Sequence, residues 1–289
     1  MNDRKSKILR LLDLYSVESL KQGFNLNGQK QAVLADAASR SDSEIEKFVR
    51  ANFPITRQHA FCYENSSGKL PSNPKAPLFA GRLLDVKTTH GETVHFYIAQ
   101  EEVEYVVEDS SGGLSRKSIE LLWPIQVHLT KHYFLVRCTI LERDVSEYLN
   151  GGKPYGQGKR KVDETGVLVE VSKSVGDPNW IPLDLNKGIK ALWDDDVIDA
   201  LSVRFKKARS TAQEEMDGEL TVKANDTALY RQLIARPLHA TVFLCMKNQD
   251  EMGRGFFCNP TTGVFRFNRY AKGIESTDHV LGKVLSSNF

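Results

Sequence analysis

The chain of 289 residues carries 39 Lys and Arg against 37 Asp and Glu, a formal net charge of +2, with 40% apolar residues and 4 Cys. Its length allows one large domain or two ordinary ones, and the absence of a long uncharged apolar run excludes a helical membrane span. So small a net charge excludes an overall polycation but not a local basic face, so charge is read segment by segment.

The charged start, Asn2-Asp3-Arg4-Lys5, leads into an amphipathic pattern rather than an apolar core with a small-residue cleavage site. No secretory signal is read there, and an intracellular location is expected. Helical spacing then recurs in Ile8, Leu11, Leu12 and Tyr15, in Val17, Leu20 and Phe24, in Val33, Leu34 and Ala37, and in Ile45, Phe48 and Val49. Ser41-Asp42-Ser43-Glu44 offers a capping sequence for the last of these. Residues 1–60 therefore predict a small helical module. A linker is expected over 61–77, where Asn65 to Pro77 concentrates Ser, Asn, Gly and Pro.

A larger body is expected over 78–289. "LFAGRLLDVKTT" (78–89) and "TVHFYIA" (93–99) flank His90-Gly91-Glu92 like a hairpin, and "IQVHLTKHYFLVRCTIL" (125–141) predicts two strands joined near Thr130-Lys131-His132. A strand is expected in "GVLVEVSK" (166–173), and one or two helices over 183–209, where Leu185, Ile189, Leu192, Val197, Leu201 and Phe205 could share a face. "HATVFLCMKN" and "GVFRFNRY" return to strands. Strands grouped with strands, without regular β-α-β alternation, indicate an α+β fold with a mainly antiparallel sheet.

Within the helical module, Leu20-Lys21, Leu26, Gly28, Lys30 and Leu34 form a pattern that resembles the SAP family of helix-extension-helix DNA-binding modules, over residues 14–40 only. The resemblance implies that Lys21, Gln29 and Lys30 hold backbone phosphates at the start of the second helix, with Lys7, Arg10 and Arg40 widening the basic face. Free N–H groups at a helix start suit that role. Gln29 and Gln31 flank Lys30 where the family usually has a second basic residue, which implies a weaker grip. The competing reading is an ordinary helical bundle that docks onto the larger body or a protein partner.

A second basic feature is the Gly-rich segment 150–166, where Lys153, Tyr155, Lys159, Arg160 and Lys161 could follow a nucleic-acid backbone, with the tyrosine available to stack. Its alternative is a solvated hairpin tip. In "GRGFFCNPTTGVFRFNRY", Arg254-Gly255-Phe256 is similar to the start of an RNP1 strand, but Phe257-Cys258 replace the small residue and aromatic that should follow, so that family is set aside. Strand geometry still places Arg266, Asn268 and Tyr270 on one face and Phe265 and Phe267 on the core side.

Enzyme constellations are sparse. The phosphate-binding G-x-x-x-x-G-K-[ST] loop, the G-x-S-x-G elbow and the H-E-x-x-H helix are all missing. His128 and His132 lack a nearby third ligand, and the scattered Cys62, Cys138, Cys245 and Cys258 read as small buried hydrophobes, so no metal or other cofactor is expected. Trp193-Asp194-Asp195-Asp196 with Asp199 is expected to open a helix, where carboxylates favour the dipole. Asp85-Val86-Lys87 has the acid-x-Lys spacing of restriction-type metal-dependent nucleases, with Glu64 as the only nearby second acid. The expected function is that of a non-enzymatic DNA-binding recognition or accessory subunit. Two alternatives are a nuclease using Asp85 and Lys87 and a protein–protein adaptor.

Overall fold

The structure, a computed structural model, describes residues 3–73, 75–79, 81–89, 91–108, 111–140, 153–154, 164–176, 181–206, 211–215, 220–245, 255–271 and 276–289. It is an α+β fold in which an N-terminal group of helices precedes a large antiparallel sheet that carries further helices.

The first four helices are α1 (Asp3–Leu12), α2 (Val17–Phe24), α3 (Lys30–Ala38) and α4 (Asp42–Asn52). The starts of α2 and α4 follow side-chain capping. Ser16 accepts from the Ser19 N–H at 3.1 Å to open α2, and Ser41 and Glu44 form a reciprocal capping box on α4. Leu11, Leu12, Leu20, Val33, Ala37, Ile45 and Val49 bury the apolar faces that the sequence spacing marked. Phe24 stacks on Phe48 at 4.5 Å, and Tyr15 meets the same ring edge-on while donating to the Val49 carbonyl.

After a 3-10 turn at Phe53–Ile55 comes β1 (Gln58–Glu64), followed by β2 (Arg82–Thr89), β3 (Glu92–Glu108), β4 (Leu114–Leu129), β5 (Tyr133–Thr139) and the short β6 (Lys153–Pro154). The rest is α5 (Glu164–Val175), α6 (Asn186–Asp194), β7 (Ile198–Lys206), β8 (Thr211–Glu215), α7 (Val222–Asn225), α8 (Thr227–Ile234), β9 (Leu238–Cys245), β10 (Phe256–Asn259), β11 (Val264–Phe267) and α9 (Ser276–Asn288). The strands form one sheet in the order β2-β3-β4-β5-β1-β11-β10-β9-β7-β8, with β6 paired to β3.

The linker expected at 61–77 thus begins with half of a central strand. β1 lies between β5 and β11 and is buried along almost its whole length, which removes the polar alternation that betrays a half-exposed strand. Its pleat separates two hydrophobic clusters. Phe61 and Tyr63 belong with the N-terminal helices, β3 and β4, whereas Ala60 and Cys62 belong with α6, α9 and the C-terminal strands.

Three sequence expectations are corrected. Residues 166–173 form part of α5 rather than a strand: Leu168, Val171 and Ser172 are buried at helical spacing, and that packing overrides the β preference of the valines. In the segment 183–209 the helix expected to carry Val197, Leu201 and Phe205 is a strand: after α6 the chain turns at Asp195-Asp196 and continues as β7, with Ile198, Ala200, Val203 and Phe205 buried. The acidic run therefore closes a helix instead of opening one.

Candidate nucleic-acid interface

α2 ends at Asn25, which takes the left-handed conformation (φ 54°, ψ 54°) and returns its N–H to the Lys21 carbonyl. Leu26 N–H donates to the same oxygen at 2.9 Å. The connector then runs through Gly28 at φ +118°, a region in which an L side chain is strained, and enters α3 through an extended Gln29. The Gln29 side chain makes no capping bond, so it leaves the opening N–H groups of α3 unused.

The proposed contact residues fall into two groups. Lys21 occupies the last turn of α2, and Arg40 Nη2 donates to the Phe24 carbonyl at 3.3 Å, so both cations sit at the negative end of that helix. Gln29 and Lys30 open α3. There Lys30 Nζ lies 2.9 Å from Asp13 Oδ1; the lysine side chain is 52% exposed and the aspartate 8%. An ammonium has three donors, so Asp13 occupies one and leaves Lys30 able to reach solvent. Lys7 and Arg10 do not widen this surface, because both turn to β4: Lys7 pairs with Glu120, and Arg10 Nε donates to the Glu120 carbonyl at 2.9 Å.

From the Gly-rich segment, Lys153 and Pro154 form β6, in register with Glu108 and Val107. Tyr155, Lys159, Arg160 and Lys161 lie outside the described residues. Arg266 is exposed between the buried Phe265 and Phe267, as the strand alternation requires, while Tyr270 takes the Arg57 guanidinium over its ring at 6.0 Å.

The acid-x-Lys pattern lies on β2, where a bulge at Leu84 sets Leu83 and Leu84 both against the core. Asp85 pairs with Arg50 at 3.0 Å, and Glu64 lies on β1, four strands away in the sheet. At about 4.8 Å per strand the two carboxylates are roughly 19 Å apart, too far to share a cation. His128 bonds Glu92 at 3.0 Å, whereas His132 packs on Phe289. Among the described residues, no group of three or more His, Cys, Asp or Glu could hold a metal ion.

The acidic cluster at the end of α6 has a structural use that sequence reasoning missed. Buried Asp199 accepts from Trp193 Nε1 (2.8 Å), from the N–H of Ala200 (2.7 Å) and Lys223 (3.0 Å), and from that of Ala224 (3.1 Å). Lys223 Nζ returns to the Trp193 and Asp194 carbonyls and pairs with Asp196, while the Tyr230 hydroxyl donates to Asp194. Burial, reinforced by Asp194, pushes the Tyr230 hydroxyl well above its usual pKa. The partners in this knot are drawn from α6, β7, α7 and α8, so no local sequence signal announces it. The four cysteines are all buried free thiols, and burial raises that of Cys245 to about 12. Compared with known proteins, the sequence matches no family model, and no curated protein shows significant similarity to it.

Proposed function

We propose that the chain is a non-enzymatic DNA-binding protein, acting as a recognition or accessory subunit, whose N-terminal helices dock a duplex backbone in the manner of a SAP-like module. The observation that carries this reading is the start of α3: Gly28 turns the chain, Gln29 leaves the first N–H groups uncapped, and Lys30 adds a solvent-reaching ammonium beside them. Such contacts read phosphate and not base, so binding is sequence-tolerant and falls steeply with salt. The basic Gly-rich segment, Lys153 to Lys161, supplies the second contact in this reading.

The test is duplex binding by the full chain across a salt series. A fragment starting near residue 60 is unsuitable, because it would cut β1 in half. Lys21→Glu with Gln29→Glu leaves the Lys30–Asp13 pair intact, and is expected to weaken binding at least tenfold and make the salt slope shallower by about one unit per lost phosphate contact. An unchanged slope rejects the α2–α3 site.

The internal use of Lys30 and Arg40 favours one rival, a protein adaptor whose cations stabilise its own helices. In that case the native chain gives no mobility shift with duplex DNA even at low salt.

A further inference from the structure

On one face of the C-terminal half of the sheet, Val203, Phe243, Phe256 and Phe265 are buried in the cluster formed with α6 and α9. The pleat turns the intervening residues to the other face. There the register aligns Arg266 of β11 with Phe257 of β10, Phe257 with Val242 of β9, and Val242 with Ser202 of β7. Two residues along β7 stands exposed Arg204, opposite Gln213 of β8 and donating to it at 2.8 Å. Val242, in the middle of this row, is 36% exposed, although it is a large aliphatic residue on an inner strand. The Arg266 guanidinium lies over the Phe257 ring, 5.3 Å from its centre, and no described carboxylate pairs with either arginine.

We propose that this open sheet face binds single-stranded DNA. An arginine held flat on a phenyl ring presents a planar cation, on which a base can stack while its N–H groups face a phosphate. Arg204 sets a second positive point at the opposite side of the row, about 14 Å across three strand spacings, with an apolar middle between them. Exposed arginines flanking aromatic and aliphatic surface complement a strand whose bases are splayed and whose backbone is anionic, with Glu215 of β8, opposite Ser202, closing the row at its far end. The choice of DNA as the polymer rests on the reading of α2–α3; the chemistry of the sheet face does not.

The experiment measures fluorescence anisotropy of labelled oligothymidine, oligouridine and duplex probes of about 20 nucleotides, long enough to span a stacking platform. Arg204→Glu with Arg266→Glu changes only exposed side chains. It is expected to weaken oligothymidine binding by tenfold or more while duplex binding is retained; Lys21→Glu with Gln29→Glu should do the reverse. Phe257→Leu, which keeps an apolar side chain but removes the ring, is expected to lower oligothymidine affinity about tenfold. Three results would overturn the proposal: oligothymidine affinity unchanged in the arginine pair, stronger binding to oligouridine than to oligothymidine, or a concentration-dependent dimer abolished by Val242→Asp, which would assign the face to a second copy of the chain. Loss of duplex binding alone would count against α2–α3 and leave the sheet face standing.

Discussion

His95 and Arg137 are polar side chains that the sequence would place on a surface, yet the sheet closes over both. Tyr97 Oη accepts from the Leu78 N–H at 2.8 Å and shares a hydrogen bond with His95 Nδ1, 3.1 Å away. Burial pushes the His95 pKa below its usual value. The unfolded chain then takes up a proton below about pH 6.5 that the folded chain refuses, so stability present at neutral pH falls on acidification by up to about 1.4 kcal/mol per pH unit. Urea midpoints at pH 7.5 and 5 should diverge more for the native chain than for His95→Gln; equal acid losses would clear His95 of the effect. Arg137 donates to Gln58 and Gln126, each at 3.0 Å, pairs with Asp278, and lies over Phe53. Arg137→Met should cost about 3 kcal/mol by denaturation, and Arg137→Lys should recover little, since an ammonium cannot reproduce the fork. At this scale the sequence shows residue types but not partners. Lys30 stands out in "NGQKQ", whereas nothing near it announces that Asp13, 17 positions earlier, takes part of its charge.

Elements were legible where one face is wet and the ends are punctuated. The amphipathic spacing of α2 and α4 with their serine caps, and the β4–β5 hairpin around Thr130 to His132, follow directly from local rules. Ser41→Ala, which opens the capping box, should lower stability by about 1 kcal/mol in a denaturation experiment. Where both faces are covered, the local signal fails. β1 shows no alternation, the apolar spacing of β7 fits a helix as well as a strand, and the valines of α5 favour a strand that the one-sided packing of Leu168 and Val171 overrides. Contact between elements leaves a sharper mark at Gly188. A Cβ there would stand 2.1 Å from the Val284 carbonyl oxygen, so α6 approaches α9 more closely than any side chain permits. Gly188→Ala is expected to destabilise by about 1–3 kcal/mol through overpacking, read from the urea midpoint. Gly91→Ala, at a turn where a Cβ meets nothing within 4 Å but φ is +84°, reports backbone strain alone and provides the comparison.

For the whole molecule, the fold class could be read from the grouping of strands and helices, but the division into module, linker and body could not locate the strand that joins them. Strand order is a long-range property: β1 is set by the pairing of His59 with Arg266 and Ala60 with Phe265, which no window of sequence contains. The candidate site was legible to the extent that it is local, in the α2–α3 turn, and illegible where it depends on the sheet bringing Arg204, Val242, Phe257 and Arg266 onto one face. The position of β1 also bears on how the chain is made. Its partner β11 leaves the ribosome roughly 200 residues later, a delay of about 10–40 s at ordinary rates of synthesis. Until then one long edge of β1 has no native neighbour, and a nascent chain exposing an apolar unpaired strand is open to mispairing. Completion of the sheet is therefore a late event in synthesis, and a chain stopped at residue 255, before β10 and β11, should depend on chaperones and aggregate without them.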